Sequence, residues 1–142
     1  MVEEKKKKPN GVVGVMVFKD GKVLIGKRKE TASHGKGEYS FPGGHMEFGE
    51  SFEEAIRRET LEESGVTIKN LKFSCVANVN QYNVVLTGFI AGWDSGEIRT
   101  IEEENIGDWF WCDFNNLPEP LFYPTAILID SYKTGKNYYD KD

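Results

Sequence analysis

The sequence predicts an α/β fold in which a mixed β-sheet lies between helices. Several β-rich hydrophobic runs are interleaved with only two helical patterns, and this arrangement favours a sheet covered by helices. The 142 residues fit one domain, and a hydrophobic content of 39% with an aromatic content of 13% is enough for a single core. We therefore expect residues 11–142 to form one domain, preceded by a flexible basic tail at residues 1–10.

The strands are predicted, in chain order, from hydrophobic runs that end at turn residues. The first two should form a hairpin, because Asp20-Gly21 separates them. Residues 30–38 contain Ser, His and two Gly and are typical of a mobile loop, whereas residues 94–107 are loop-like and acidic. The predicted strands are residues 12–18, 23–28, 39–41, 69–79, 84–93 and 108–114, and the second helix is residues 125–134.

The first helix is predicted from its two ends. Ser51 followed by Glu54 has the spacing of a capping box, and Gly65 supplies the stop at the other end. Good helix formers lie between these ends. Before the helix, Gly43-Gly44 should let the backbone turn tightly.

One face of this helix changes from hydrophobic to acidic. At about 100° per residue, Phe52, Ala55 and Ile56 share a stripe that should face the protein interior. The positions that continue the stripe fall within an arc of roughly 100° and are all glutamates. They are Glu59, Glu62 and Glu63.

Three carboxylates on an inward face need a compensating positive charge. Clustered anions repel one another and lose hydration when they are partly buried. Oxygen-rich clusters select hard divalent cations such as Mg²⁺ and Mn²⁺, so the pattern favours a metal site. The alternative is a solvated acidic helix with i,i+4 charge pairs. That alternative fits Glu53, Glu54 and Arg57, but it does not explain the inward glutamates.

The same stretch resembles the signature box of the Nudix hydrolase family. Gly44 is followed after five residues by Glu50, and after seven more by the run Arg58-Glu59-Thr60-x-Glu62-Glu63-x-Gly65-Val66. Thr60 departs from the family, which usually has an aliphatic residue at that position. The likeness is closest to nucleotide-hydrolysing members with a Pro-Gly-Gly-His-x-Glu-Phe-Gly-Glu-Ser run, here residues 42–51.

The resemblance extends over about residues 11–132 and implies a Nudix α/β/α sandwich that binds Mg²⁺, with Mn²⁺ able to substitute. It also implies roles for the box residues. Arg58 is expected to orient the glutamates, and Glu50 is expected either to anchor the loop through a charge pair or to bind metal. The implied metal ligands are the carbonyl of Gly44, Glu59 and Glu63, with Glu62 bound directly or through water.

Further residues complete the expected catalytic site. Family members often use one more acidic residue from a later loop, and Glu104 is the best match when counted back from Trp109. The carboxylate that takes a proton from the attacking water is Glu62, Glu63 or Glu104, and the sequence does not rank them. Arg28 is a candidate phosphate partner, because a guanidinium matches phosphate oxygens. An ordinary charge at a strand edge is the alternative for this arginine.

The expected reaction is Mg²⁺-dependent hydrolysis of a nucleoside diphosphate-linked substrate, above all a nucleoside triphosphate cleaved to a monophosphate and pyrophosphate. NADH, ADP-ribose and prenyl diphosphates are alternative substrates, and a non-catalytic nucleotide-sensing module is the rival function. Such a module usually lacks an acidic box position, and none is missing here. An 8-oxo-dGTP specialist is disfavoured, because Thr125 and Ala126 stand where relatives place an acidic pair. The other predicted substrate contacts are His45, Phe48 and Tyr123, with Trp109 and Phe122 as further candidates for stacking on a base.

Composition argues against several other classes. A net charge of −5 disfavours binding to nucleic-acid polymers. No apolar run reaches the length of a membrane span, and the two cysteines lack a metal-type or redox-type spacing, so buried free thiols are expected. The predicted partner is therefore a small nucleotide or another diphosphate, with a homodimer left open, and the predicted location is the cytoplasm.

Overall fold

The computed structural model describes residues 7–140, which form eight strands and two helices. A short 3-10 turn at Asn80–Tyr82 lies between the fifth and sixth strands. In chain order the elements are β1 (Asn10–Lys19), β2 (Lys22–Arg28), β3 (Tyr39–Ser40), β4 (Gly43–His45), α1 (Phe52–Ser64), β5 (Thr67–Val79), β6 (Val84–Ser95), β7 (Ile106–Asp113), α2 (Tyr123–Thr134) and β8 (Tyr138–Tyr139).

All eight strands belong to one mixed sheet. Six of them follow the order β3-β2-β1-β6-β5-β8, while β4 pairs with β1 and β7 pairs with β2. β1 runs antiparallel to β2 across the predicted Asp20-Gly21 hairpin and parallel to β6 over nine residue pairs. The predicted mixed sheet is confirmed.

The two helices cover opposite faces of this sheet. Neighbouring residues of a strand point to opposite faces, and in β1 Met16 joins the core beneath α2 whereas Val15 joins the core beneath α1. Leu128 of α2 belongs to the first of these cores, and Ile56 of α1 belongs to the second. The fold is therefore the expected α/β/α sandwich, with α1 holding the signature box on one face.

The ends of α1 agree with the sequence, but its buried face is rotated from the predicted one. Ser51 and Glu54 form both hydrogen bonds of the capping box, each 3.1 Å long, and Gly65 ends the helix with a φ of 83°. Phe52 is 49% exposed, and the side chain of Glu62 is 50% exposed. Both were predicted to face inward, and this part of the prediction is wrong. The buried residues are Ala55, Ile56, Thr60, Glu63 and Ser64.

Every predicted strand and helix occurs, with ends shifted by a few residues, and two short strands were not predicted. Gly43-Gly44, expected as a tight turn, instead belongs to β4, and Tyr138–Tyr139 forms β8 beside β5. β1 begins at Asn10, whose N–H donates to the carbonyl of Asn83 over 3.0 Å, so the sheet starts one residue before the predicted domain boundary. Residues 1–6 of the predicted tail lie outside the described part of the chain.

Two simple expectations concern cysteine and membrane segments. Cys75 and Cys112 are both buried free thiols, as predicted. In residues 7–140, neither helix has the length and hydropathy needed to cross a membrane.

Candidate active site

A cavity of about 410 Å³ lies where β1, β4 and the end of β2 approach both helices. Its wall combines residues that are far apart in the sequence, because the sheet brings the signature box beside Glu104 and Asn105 of a later loop. Seven of the residues predicted to act in catalysis or binding line this cavity, one of them Phe122, a candidate for stacking on a base. The others are Arg28, Gly44, His45, Glu59, Glu63 and Glu104.

Glu59 and Glu63 lie one helical turn apart and both contact β4. Glu63 is 4% exposed, and its Oε1 accepts a hydrogen bond from the backbone N–H of Gly43 at 2.9 Å. The carboxylate of Glu59 lies against Gly44 so closely that a Cβ added there would be 2.6 Å from Oε2. A Cβ at Gly43 would collide with the carbonyl of Val13 on β1. The two glycines are therefore required for close approach rather than for a turn.

Burial makes this carboxylate pair electrostatically unfavourable. Loss of solvent raises the pKa of Glu59 from 4.5 to about 7, although hydrogen bonding to Arg58 opposes the rise. Burial also raises the pKa of Glu63 well above its usual value, and the charges of Glu59 and Glu104 raise it further. Because the cationic groups nearby do not offset these effects, the pair would attract a positive ion.

Arg58 holds the carboxylates and the preceding loop together. Its Nε and Nη2 donate to the two oxygens of Glu50 at 2.6 and 3.0 Å. Its Nη1 donates to Glu59 at 2.9 Å and to Glu62 at 3.2 Å, and Nη2 also donates to the carbonyl of His45 at 3.1 Å. A guanidinium with five donors suits this fork of contacts. Arg58 thus holds Glu50, Glu59 and Glu62 together, and the orienting role expected of it stays a prediction.

Glu50 accepts hydrogen bonds from the side chain of Arg58 and from the backbone N–H of Glu47. The side-chain hydrogen bonds from Arg58 and the backbone N–H of Glu47, which donates at 2.7 Å, lower the pKa of Glu50 to about 2. Glu50 is outside the cavity wall as the structure places it. Its contacts correspond to the structural alternative predicted for it, in which a charge pair anchors the loop before α1.

The donor chemistry around the pair suits a hard divalent cation. The two carboxylates are oxygen ligands of the kind that Mg²⁺ prefers, whereas the carbonyl of Gly44 as a ligand stays a prediction. Among residues 7–140, no three Asp, Glu, His or Cys side chains already converge on one cation position. A metal held here would therefore need oxygen ligands in addition to the side chains of Glu59 and Glu63.

Arg28 lines the cavity and is held by aromatic residues from two other segments. Its Nε donates to the carbonyl of His34 at 2.7 Å, and its guanidinium carbon lies 4.0 Å from the centre of the Phe122 ring. Phe122 stacks on Tyr82 at 5.2 Å, and Tyr82 lies 4.6 Å from the His34 ring. Burial lowers the pKa of Arg28. The sequence analysis predicted no role for Tyr82 or His34. The signal that could have indicated Tyr82 is its position as an aromatic residue in the otherwise polar turn Asn80–Tyr82.

The remaining predicted site residues lie elsewhere. Phe48 is fully exposed, Tyr123 packs beside the α2 core, and neither lines the cavity of the described chain. Trp109 is buried, and its Nε1 donates to the carbonyl of Glu63 at 2.9 Å, so it supports α1. Glu62 also lies outside the wall and is held by Arg58. Their assignments as ligands or substrate contacts stay predictions.

A family comparison is decisive at this point, because the model of the NUDIX domain matches residues 8–130. The chain belongs to the NUDIX domain family. It is 35% identical over 114 residues to the NAD-capped RNA hydrolase NudC of Haemophilus influenzae (strain PittEE), covering 80% of this chain and 42% of that protein. Identity to the NudC of Actinobacillus succinogenes is 38% over 112 residues, with coverage of 78% and 42%. This Nudix chain thus spans less than half of these curated relatives.

Solved structures support the same family. The MutT NUDIX hydrolase from Burkholderia pseudomallei superposes with a TM-score of 0.78 at 29% identity, covering 88% of this chain and 98% of that one. The NUDIX domain of Shewanella oneidensis NrtR, solved with ADP ribose, has a TM-score of 0.74 at 20% identity, covering 90% of this chain and 88% of that one. The second comparison concerns the fold alone.

Proposed function

We propose that this Nudix chain is a Mg²⁺-dependent pyrophosphohydrolase that cleaves the diphosphate of a nucleotide. One observation carries the proposal: the buried carboxylate of Glu63 and the partly buried carboxylate of Glu59 lie against Gly43 and Gly44 of β4, in a cavity that Arg28 also lines. A cation would relieve the repulsion between the carboxylates, and the diphosphate of a substrate would bring the matching negative charge.

Five residues that line the cavity have a part in this proposal. Glu59, Glu63 and the carbonyl of Gly44 would hold the metal, which when bound neutralises phosphate charge and lowers the pKa of a water molecule. Arg28 would bind non-bridging phosphate oxygens with its terminal nitrogens. Glu104 is our choice for the carboxylate that accepts the proton of water, since it lines the cavity and is not committed to Arg58.

A nucleoside triphosphate, cleaved to a monophosphate and pyrophosphate, is the first substrate to consider. A dinucleotide is the second, because relatives with 35–38% identity are named NAD-capped RNA hydrolases. The named substrate of these relatives is an RNA, whereas the sequence predicts that this chain binds no nucleic-acid polymer. That expectation stays a prediction, as do the homodimer and the cytoplasmic location. Every charged position of the signature box is present, and this supports an enzyme over a silent sensing module.

A substrate panel tests the function directly. The purified protein with Mg²⁺ is expected to hydrolyse members of a panel containing nucleoside triphosphates, NADH, ADP-ribose, NAD-capped RNA and a prenyl diphosphate. Chromatography identifies the products, and incorporation of ¹⁸O from labelled water identifies the phosphorus that is attacked. Pyrophosphate and a nucleoside monophosphate as products indicate a nucleoside triphosphate pyrophosphohydrolase. Two monophosphates indicate hydrolysis of a dinucleotide or of ADP-ribose. Turnover that is identical with Mg²⁺ and with EDTA would contradict the proposal.

Replacing Arg28 by Lys is expected to raise KM about tenfold, with a smaller effect on kcat, because lysine keeps the charge but loses the planar fork. The variant also loses the contacts of the guanidinium with His34 and Phe122. Steady-state kinetics on the best substrate measure the change. Arg57→Lys is the matched control, since Arg57 lies on the outer face of α1 and pairs with Glu53. An unchanged KM in the Arg28 variant would remove Arg28 from the substrate site.

A further inference from the structure

Lys29 immediately follows β2 and contacts the acidic loop, residues 101–105. Its Nζ donates to the carbonyl oxygens of Ile101 and Glu102, each at 3.2 Å. Its backbone N–H donates to the carbonyl of Asn105 at 2.8 Å. Within residues 7–140, these are all the hydrogen bonds that we observe between the acidic loop and the rest of the protein. The position of the loop therefore depends on Lys29.

The Lys29 side chain passes close to a glycine on the neighbouring strand. Gly107, the second residue of β7, lies beneath this side chain, and a Cβ added there would be 2.8 Å from the Lys29 Cε. The ammonium group also places a positive charge beside a loop that contains three consecutive glutamates, residues 102–104. A long cationic side chain can satisfy several carbonyls at once because its ammonium has three donors.

The acidic loop matters because it carries Glu104 into the cavity. Glu104 lines the same wall as Glu59 and Glu63, and its charge acts on both of them. In the described part of the chain, the Glu104 side chain makes no hydrogen bond or ion pair, so no contact of its own fixes it. Its backbone N–H donates to Ile101 at 3.2 Å, within the loop. The position of this carboxylate thus follows the position of the loop.

We propose that Lys29 is a positioning residue, which holds the acidic loop so that Glu104 faces Glu59 and Glu63 across the cavity. This inference rests on the proposed function, in which Glu104 accepts the proton of the attacking water. A lysine that served only general stability would affect folding without acting through Glu104. The two roles therefore differ in what happens when Glu104 is removed first.

Lys29→Met is expected to lower kcat about tenfold and to leave KM within about twofold, because displacement of a catalytic group by a small distance slows chemistry more than it weakens binding. Lys29→Arg, which keeps the charge and donors, should recover most of this loss. Gly107→Ala should act in the same direction, since the added methyl group displaces the Lys29 side chain. Lys27→Met is the control, because Lys27 is an exposed lysine on the same strand.

A double-mutant cycle separates the two roles. In a Glu104→Gln background, Lys29→Met is expected to cause no further loss of kcat, since the carboxylate that Lys29 positions is already absent. An equal fold-loss in both backgrounds would overturn the proposal, as would wild-type kcat in Lys29→Met. Thermal melting of each variant shows that the folded enzymes are being compared.

Hydrogen exchange tests the anchoring without using activity. The amides of Glu104 and Lys29, which donate to the carbonyls of Ile101 and Asn105, are expected to exchange at least about tenfold faster in Lys29→Met, whereas amides in the middle of α1 keep their protection. Unchanged exchange in the acidic loop would overturn the inference. A wild-type protein that hydrolyses no substrate of the panel would instead contradict the proposed function, so the two failures are distinguishable.

Discussion

Glu63→Gln is expected to lower the kcat of Mg²⁺-dependent hydrolysis by at least about a hundredfold while the protein stays folded. Glutamine has nearly the same volume, and its side-chain oxygen can still accept the hydrogen bond from Gly43. The neutral amide is a poor ligand for a hard cation. It also removes a charge from a site that is only 4% exposed, so the metal-free variant should melt at a higher temperature than wild type near pH 8.

The measurements are kcat at saturating Mg²⁺ and the melting temperature without metal. Glu53→Gln serves as the control, since Glu53 is on the exposed face of α1, and this variant should keep wild-type kcat. Unchanged turnover in Glu63→Gln would remove Glu63 from the ligand set. A lower melting temperature in the metal-free variant would contradict the electrostatic account of the pair.

The signature helix could be predicted from sequence because its signals are local. The capping box formed by Ser51 and Glu54 and the stop at Gly65 involve residues a few positions apart, and both occur as expected. The buried face was less well predicted, since it depends on how α1 packs against the sheet. Thr60 is fully buried there, with its hydroxyl donating to the carbonyl of Ile56 at 2.7 Å. The buried stripe of α1 therefore includes Thr60 and leaves out Phe52, which is 49% exposed.

Features that depend on strand register could not be predicted. Gly43 is required by its contact with Val13 on β1, and the sequence places these residues 30 positions apart. Lys29 contacts Ile101 across 72 positions, and nothing in the local sequence marks either partner. The cavity is assembled from such contacts, so the sequence indicates its acidic residues but not the residues that position them.

The stability of the metal-free protein is expected to fall as the pH rises from about 4.5 to about 7. The pKa of Glu59 is raised from 4.5 to about 7 in the folded protein, so between these values the unfolded chain ionises first and is favoured. The decrease in the free energy of unfolding caused by Glu59 is absent below pH 4.5 and complete above pH 7, where it amounts to roughly 3 kcal/mol. Glu63 contributes in the same direction. Glu50 has the opposite sign, but its pKa of about 2 places its effect below pH 4.5.

Mg²⁺ should reverse this loss, because a ligand that binds only the folded state raises its stability. The cation needs ionised carboxylates, so protons compete with it, and the increase in melting temperature caused by Mg²⁺ should be much larger at pH 8 than at pH 5. Thermal melting at both pH values, with Mg²⁺ or with EDTA, measures the difference. In the double variant Glu59→Gln/Glu63→Gln, both the pH dependence and the response to Mg²⁺ should largely disappear. A Mg²⁺ response that persists in this variant would place the cation elsewhere in the protein, and the carboxylate pair would then lose the role that its burial against β4 indicates.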